Sequence, residues 1–382
     1  MDAIRALGAM SGTSLDGVDA AELVTDGETI SSFGVSAYVE YAPEERDVLR
    51  AAFGRWPGET GVAEAARVAE DVHLRVLEGF ARPDVIGFHG QTLAHDPAGG
   101  RTHQTGDGAR LARALGTPVV WDFRSADVAA GGEGAPLAPA FHHACARHVG
   151  ARHPVAFLNL GGVGNLTWVD PGRPMAAEGA LLAFDTGPAN APIDDLCQRH
   201  AGTRYDRDGA LARQGRARTD LVQDLLRHPY FDRIPPKSLD RDAWTGTPID
   251  ALPPADAAAT WVAVIAASVA RGLARCPAPP ERLLVTGGGR RNPAIMAALA
   301  TLPVPVVPVE EAGLDGDMLE AQAFAFLAVR VLRNLPTSFP GTTGVPAPLC
   351  GGRIAGEAAA LYDPGADARH HPEARIAGSR SR

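Results

Sequence analysis

Residues 8–21 read GAMSGTSLDGVDAA, and residues 158–169 read LNLGGVGNLTWV. Each stretch is a glycine-rich turn between two apolar runs: RALGAMS leads into VDAAELV, and VAFLNL leads into LTWV. Such runs, with little helical periodicity, predict β-strands. Turns that combine Gly with Ser, Thr and Asn expose backbone N–H groups that can bind phosphate. The sequence therefore predicts a phosphate-binding hairpin that occurs twice.

Two further glycine-rich turns follow apolar runs, AFDTGPANAPIDD at 183–195 and LLVTGGGRRNPA at 283–294. A strand hairpin followed by helices is predicted from residue 4 and again from residue 154. This repetition predicts an α/β protein of two related domains that face each other. We expect an N-terminal domain at 1–130 completed by part of 335–362, a C-terminal domain at 131–335, and a disordered tail at 363–382.

The composition excludes several classes of partner and compartment. The chain of 382 residues carries a formal net charge of -9, so we expect neither nucleic acid nor an anionic membrane as a partner. Its four cysteines form no CxxC pair, and its first residues do not resemble a signal peptide, so we expect the cytoplasm. The longest apolar stretch, 257–270, is shorter than the roughly 20 residues that span a bilayer and predicts a buried helix.

Two common nucleotide-binding motifs are absent from the sequence. Lys237 is the only lysine, which excludes a Walker A loop with its Gly-Lys-Ser/Thr. The second turn does not fit the Rossmann fingerprint, because an apparent strand follows Gly164 where a third glycine and a helix should stand. The phosphate-binding fold must therefore be of another kind.

A set of motifs in the same order resembles the 1,6-anhydro-N-acetylmuramic acid kinase family. The motifs are MSGTSLDGVD, HGQT, QTGD, WDFRSADVAAGGEGAPLAPAFH, LNLGGVGN, FDTGPAN, YDRDGALA, PKS, TGGGRRN and LPTSFPGTTG. Together they span residues from about 5 to 362. The resemblance implies two actin/hexokinase-like (ribonuclease H-like) α/β domains with ATP in the cleft between them. It also implies a homodimer, which nothing else in the sequence indicates.

By this resemblance, three of the glycine-rich turns hold the nucleotide. The implied ATP-binding residues are Gly12, Thr13, Ser14, Leu15, Asp16, Gly17, Val18 and Asp19 in the first turn, Gly161, Gly162, Gly164 and Asn165 in the second, and Gly287, Gly288, Gly289 and Asn292 in the third. In the third turn the glycines allow a planar base to approach the backbone. For each turn, a tight turn or helix entry without a ligand is the competing interpretation.

Asp16 and Asp19 are the candidate ligands of Mg²⁺. This hard cation keeps several waters and takes only one or two carboxylates from a protein. The competing interpretation is that each carboxylate stabilises the turn by an Asx hydrogen bond.

Asp185 is the candidate catalytic residue. It ends the apolar run LLAFD, so its carboxylate should project from a strand end into the cleft, where it can act as a general base. The alternative is an Asp that caps the following helix. The family's usual motif has Gly where this chain has Ala189, which could perturb the turn but leaves the carboxylate in place.

The candidate sugar-binding residues are polar groups of the loops and of one late helix: His89, Gln91, Thr92, Gln104, Asp107, Arg124 and Glu320. The Arg124 guanidinium suits the lactyl carboxylate of a muramic sugar, because it forms paired charge-assisted hydrogen bonds. A salt bridge of Arg124 with Asp122 or Asp127 is the alternative. For Glu320 the alternative is a carboxylate that favours the helix dipole.

Three functions remain open at this point. The resemblance implies an ATP-dependent kinase that hydrolyses the 1,6-anhydro ring and phosphorylates O6, with Asp185 as the base. An ATP-independent amino-sugar hydrolase would use Asp185 and Glu320 as an acid/base pair. A non-enzymatic actin-like ATP-clamp protein would bind nucleotide without forming a sugar product.

Overall fold

The structure is a computed structural model, and it describes residues 2–239 and 244–357. The tail predicted at 363–382 lies outside the described residues, and so does the end of the 335–362 segment. In the described part of the chain, helices pack against two β-sheets. The predicted α/β class is confirmed.

The strands follow the apolar runs of the sequence. They are β1 (Ile4–Ser11), β2 (Gly17–Thr25), β3 (Ile30–Glu40), β4 (Val85–Asp96), β5 (Arg101–Thr105), β6 (Val119–Trp121), β7 (Val155–Leu160), β8 (Val163–Val169), β9 (Leu181–Pro188), β10 (Leu283–Thr286), β11 (Val306–Pro308) and β12 (Arg353–Ala355). The predicted meander at 4–24 and 32–41 corresponds to the first three strands, and the hairpin predicted from residue 154 to β7 and β8.

Several of the helices begin at recognisable capping signals. They are α1 (Pro43–Ala51), α2 (Val62–Leu77), α3 (Gly108–Leu115), α4 (Ser125–Ala129), α5 (Pro139–His148), α6 (Asn190–Ala201), α7 (Thr219–Leu226), α8 (Pro254–Leu273), α9 (Pro293–Leu299), α10 (Leu319–Leu332) and α11 (Pro340–Thr343). Proline occupies the first turn of several of them, and Asp107 and Asn292 cap α3 and α9 with their side chains.

The two sheets repeat one strand order. In the first, β1, β2 and β3 form an antiparallel meander, and β4 and then β6 add in parallel on the other side of β1. In the second, β7, β8 and β9 form the meander, and β10 and then β11 add in parallel beside β7. The order β3-β2-β1-β4-β6 thus matches β9-β8-β7-β10-β11. This duplicated arrangement is the ribonuclease H-like topology that was expected, and we call the two units the first and second lobes.

Helix α10 lies directly on β1 and β4 of the first sheet. A Cβ atom on Gly8 would lie 1.9 Å from the carbonyl oxygen of Ala321, and one on Gly87 would lie 2.1 Å from that of Phe324. Only glycine permits so close an approach of helix and strand. The predicted C-terminal domain, 131–335, includes α10, yet this helix packs on the first sheet. The position of the domain boundary stays a prediction.

Two helices fill the space between the sheets. Phe141 of α5 and Phe326 of α10 have ring centroids 5.7 Å apart. They belong to one buried cluster that also contains Val85 of the first sheet and Phe157 of the second. The lobes therefore share a continuous apolar core on one side of the space between them.

Helix α8 has the length and apolar character of a membrane span, but it is a core helix here. Trp261 and Val264 are fully buried against the second sheet and the helices around it. The sequence predicted this helix at about 255–275 and predicted that it is buried.

Candidate active site

A cavity of 540 Å³ opens between the lobes and is lined by residues of both. The first lobe contributes the β1–β2 turn and α10, and the second contributes the β7–β8 turn and the turn after β10. All three predicted nucleotide turns therefore reach one cavity.

The β1–β2 turn is shaped by a buried leucine. Leu15 is fully buried at a φ of 57°, so the turn is anchored in the core of the first lobe. Ser14, Asp16 and Asp19 line the cavity. Gly17 cannot be replaced without displacement, because a Cβ would lie 2.3 Å from the carbonyl oxygen of Val39. The side chains of Thr13, which is exposed, and Val18, which is buried, do not line the cavity.

The second and third turns meet at the same edge of the cavity. Gly161 and Asn165 line it from the β7–β8 turn, and Gly287 and Gly288 from the turn after β10. Gly287 has a φ of 74°, and its Cβ would lie 2.2 Å from Oδ1 of Asn159. The third turn therefore requires glycine at this position.

Other residues predicted in these turns support the backbone. The carbonyls of Gly162 and Gly161 accept hydrogen bonds from the amides of Ala189 and Asn190, at 3.1 and 2.9 Å. Ala189 is fully buried at a φ of -131°, outside the left-handed region that favours glycine, so its methyl group is accommodated. Asn292 accepts from the amide of Ala294 at 3.0 Å as the cap of α9.

Gly164 and Gly289 have no room for a side chain. A Cβ on Gly164 would lie 2.6 Å from Oγ1 of Thr186, and one on Gly289 would lie 2.6 Å from Cβ of Leu160. Both glycines therefore keep their turns close to the strands behind them.

Carboxylates concentrate on the first-lobe side of the cavity. Burial raises the pKa of Asp19 to about 7, and the negative charges of Glu320, Asp317 and Asp16 add to this rise. Among the described residues no three ligating side chains are close enough to hold a metal ion. The donor set fits a cation that takes one or two carboxylates and completes its shell with water and phosphate, as Mg²⁺ does.

Asp185 lies within β9, where the pairing register with β8 shifts, and not at the end of the strand as the sequence predicted. Its Oδ1 accepts from Nδ2 of Asn165 at 2.9 Å, and its Oδ2 accepts from the amide of Leu239 at 2.8 Å. Burial raises the pKa of Asp185 to about 6, although these two hydrogen bonds act in the opposite direction. The result is a well-oriented carboxylate with the proton affinity of a general base.

Asp185 lines a second cavity of 200 Å³ together with His95, Glu133 and Lys237. Asn165 lines both this cavity and the larger one, so the two cavities adjoin at the second turn and share this side chain as a wall. Lys237 donates to the carbonyl of Tyr230 at 2.9 Å, and burial lowers its pKa to about 8. The lone lysine is therefore a buried neighbour of Asp185 and not an exposed surface residue.

Arg124 and His89 form a buried pair beneath the cavity. Nη2 of Arg124 donates to Nε2 of His89 at 3.0 Å, and Nη1 donates to the carbonyl of Gly134 at 2.8 Å. Burial and the charge of Arg124 hold the pKa of His89 well below its ordinary value, so the imidazole is a neutral acceptor. Arg124 lines the cavity with Glu320.

The predicted alternative partners of Arg124 are engaged elsewhere. Asp127 accepts from the amide of Gly134 at 2.7 Å and from Oγ1 of Thr343 at 2.6 Å, and Asp122 accepts from Ser125. Among the ion pairs of the described residues, none joins Arg124 to either aspartate.

Four other predicted sugar-side residues do not line the two described cavities. Oε1 of Gln91 accepts from Ser11 at 2.6 Å, and its Nε2 donates to the carbonyl of Gly12 at 3.3 Å, so Gln91 supports the first turn. Thr92 and Gln104 pair with each other between β4 and β5 at 3.3 Å. Asp107 accepts from the amide of Ala109 at 2.8 Å as the cap of α3.

Sequence reasoning missed several residues of the cleft. Asn159, at the end of β7, donates to Oε1 of Glu320 at 3.3 Å. Arg290 donates to Oδ1 of Asp317 at 2.9 Å and to Oε1 of Glu310 at 2.8 Å. Asn159 could have been identified from the sequence, because it is a polar residue at a strand end two positions before Gly161. Arg290 could not have been identified in this way, because its contacts join segments that are distant in sequence.

Two lobes of one strand order, glycine-rich turns from both, and an oriented carboxylate beside their shared cleft are typical of the two-lobed sugar kinases. The anhydro-N-acetylmuramic acid kinase family model matches residues 4–356. The chain belongs to this family.

Curated relatives support the same membership. An anhydro-N-acetylmuramic acid kinase of Cereibacter sphaeroides is 62% identical over 95% of this chain and 99% of its own length. One of Roseobacter denitrificans is 60% identical over 92% of this chain and 94% of its own length. Among solved structures, a ROK family glucokinase of Streptomyces griseus in complex with glucose and AMPPNP aligns over 85% of this chain and 99% of its own, with 13% identity and a TM-score of 0.40.

Proposed function

We propose that this protein is an ATP-dependent anhydro-N-acetylmuramic acid kinase. It hydrolyses the 1,6-anhydro ring of the sugar and phosphorylates O6, giving N-acetylmuramic acid 6-phosphate and ADP, and it serves cell-wall (peptidoglycan) recycling and amino-sugar metabolism. The observation that carries the proposal is Asp185, a carboxylate of raised pKa held by two hydrogen bonds where the two cavities meet.

The proposed chemistry assigns one carboxylate to two coupled bond changes. Asp185 removes a proton from a water molecule whose oxygen bonds to the anomeric carbon. The bond between that carbon and the bridging O6 breaks, and O6 attacks the γ-phosphorus of ATP as ADP leaves. Asn165 and the amide of Leu239 fix the two carboxylate oxygens, so little reorientation is required when the water binds.

The phosphates of ATP are proposed to lie against the glycine-rich turns. The N–H groups of the β1–β2 and β7–β8 turns supply donors without mobile side chains, which suits an acidic protein with a single lysine. Mg²⁺ would be held by Asp16 and Asp19 through water and would neutralise charge on the transferred phosphoryl group. The carboxylates of Glu320, Asp317 and Asp16 lie near Asp19 and add to the rise in its pKa that burial causes, so a cation would be favoured here.

The sugar is proposed to occupy the part of the cavity that includes Arg124 and Glu320. Arg124 is partly buried, its charge has no ion-pair partner among the described residues, and it lines the cavity, as required for a group that binds the lactyl carboxylate. His89 positions the guanidinium from behind. Gln91, Thr92, Gln104 and Asp107 then act on the site through the turns and helix that they stabilise.

A product assay with and without ATP separates this proposal from its two alternatives. With 1,6-anhydro-N-acetylmuramic acid as substrate, we expect one ADP per sugar 6-phosphate and no turnover without ATP. Ring opening without ATP would indicate a hydrolase. Nucleotide binding with neither product would indicate an ATP-clamp protein.

Two further properties are proposed, a homodimer on family resemblance alone and a cytoplasmic location on the cysteine pattern. Light scattering of the purified full chain gives the mass in solution directly. A mass near twice 39.8 kDa supports the dimer, and a mass near 39.8 kDa contradicts it.

A further inference from the structure

We propose that a third cavity, on the side of the molecule where α5 and α10 join the lobes, is a binding site for a small oxyanion such as a phosphate ester. The cavity has a volume of 420 Å³. None of its lining residues lines the cleft cavities. Its size falls in the range of small-molecule sites.

Three arginines line this cavity, Arg147 of α5, Arg173 of the loop after β8, and Arg330 of α10. The single carboxylate among the lining residues is Glu28. A chain with a net charge of -9 thus gathers three guanidinium groups around one cavity. Guanidinium groups bind phosphate and carboxylate oxygens in pairs, which identifies the class of ligand.

Arg330 is the strongest sign that the cavity requires an anion. It is 3% exposed, its Nε donates to the carbonyl of Pro336 at 2.6 Å, and its Nη1 donates to the carbonyl of Gly27 at 2.6 Å. Within the described residues neither Arg330 nor Arg147 forms an ion pair. The charge of Glu28 acts on Arg330 across the cavity, but the two form no ion pair. A buried charge that is not directly paired is costly, so binding of an anion would stabilise this arrangement.

His143 adds an acceptor to the same cavity. It is 1% exposed, its Nε2 lies 3.0 Å from the carbonyl of Arg173, and its Nδ1 has no hydrogen-bond partner among the described residues. With the proton on Nε2, Nδ1 can accept a hydrogen bond from the P–OH group of a phosphate or from a hydroxyl of an organic ligand. Burial and the nearby charges of Arg147 and Arg330 lower the pKa of His143, which agrees with this neutral form.

The test is calorimetric titration of the full chain with inorganic phosphate, glucose 6-phosphate, succinate and glucose. A non-hydrolysable ATP analogue is present at saturation, so that the phosphate-binding turns of the cleft are occupied. We expect phosphate or glucose 6-phosphate to bind and glucose to give no heat. Binding of succinate alone would assign the site to carboxylates within the same oxyanion class, and heat with none of the probes would overturn the proposal.

Two variants assign the binding to this cavity. Arg147→Gln and Arg173→Gln replace side chains that are exposed enough for the fold to tolerate the change. Each should weaken anion binding about tenfold or more, since each removes a charge-assisted contact, while the activity in the cleft stays unchanged. Arg50→Gln, an exposed arginine of α1, is the matched control and should leave binding unchanged. Equal affinity in the parent and all three variants would contradict the proposal.

Discussion

At the residue scale, the account depends on why Asp185 differs from the other carboxylates of the cleft. Asp185 is partly buried and makes two hydrogen bonds to groups of its own lobe, whereas Asp16 is exposed and pairs with Arg204 at 3.0 Å. Glu320 is exposed to the cavity; desolvation raises its pKa, and the charge of Arg124 counteracts that rise. Asp185 alone combines a fixed orientation with a place where the two cavities meet.

Replacing Asp185 by asparagine removes the proposed base with little change in shape. We expect Asp185→Asn to lower kcat by a factor of roughly 10²–10⁴, the usual contribution of general-base catalysis. Steady-state kinetics at saturating ATP and sugar measures this directly. Asp224→Asn, on the exposed face of α7, is the control and should keep the parental rate. A kcat within tenfold of the parent would remove Asp185 from the mechanism.

The same residue should set the acid limb of the pH profile. The base acts as the carboxylate, and burial raises the pKa of Asp185 to about 6, so protonation below that pH inactivates the enzyme. We expect kcat to fall about tenfold for each pH unit below about 6. A pH–kcat profile at saturating Mg-ATP measures the limb, and a kcat that stays level down to pH 4.5 would show that no such group titrates.

The sequence could predict Asp185 because it ends the apolar run LLAFD, although β9 continues beyond it to Pro188. It could not separate Asp185 from Gln91 or Asp107, which also follow or end predicted elements. Those two side chains turn toward the backbone of Gly12 and Ala109 instead of the cleft. The direction of a side chain depends on tertiary contacts that a local pattern does not contain.

At the element scale, α10 connects the fold to the site, because it packs on the first sheet and carries Glu320 at its first turn. Its sequence predicted a helix but not which sheet the helix covers. That choice depends on Gly8 and Gly87, which lie far from it in sequence and allow the close approach.

This packing predicts a sharp difference between two glycine-to-alanine substitutions. Gly8→Ala places a methyl group against the carbonyl oxygen of Ala321, so we expect the free energy of unfolding to fall by about 3 kcal/mol. Gly79→Ala, where the nearest atom would be an ordinary 3.4 Å away, should change it by less than about 1 kcal/mol. Urea denaturation of both variants measures the difference, and equal effects would show that the α10 contact is not tightly packed.

At the scale of the whole molecule, the duplication of the strand order was predictable because the hairpin-then-helices pattern begins again near residue 154. The contacts between the lobes were not, since they join residues that no local pattern relates. One of them is the ion pair of Asp16, in the first turn, with Arg204, which follows α6.

The pair between Asp16 and Arg204 should contribute little, because both side chains are more than half exposed. We expect Arg204→Gln to change the KM for ATP by less than about fivefold and to leave kcat unaltered. Initial rates across a range of ATP concentrations measure both constants. A kcat reduced by more than tenfold would instead make this contact part of the catalytic arrangement.

The central claim is that water opens the 1,6-anhydro bridge of the sugar, while the bridging O6, and not water, accepts the phosphoryl group. Both steps take place in a cleft formed by both lobes. Reaction in H₂¹⁸O, followed by mass spectrometry of the product, tests it most directly, with product held in the same water as the exchange control. The account predicts one ¹⁸O on the anomeric carbon and none in the phosphoryl group of the sugar phosphate. Label in the phosphoryl group, or an unlabelled anomeric oxygen, would contradict it.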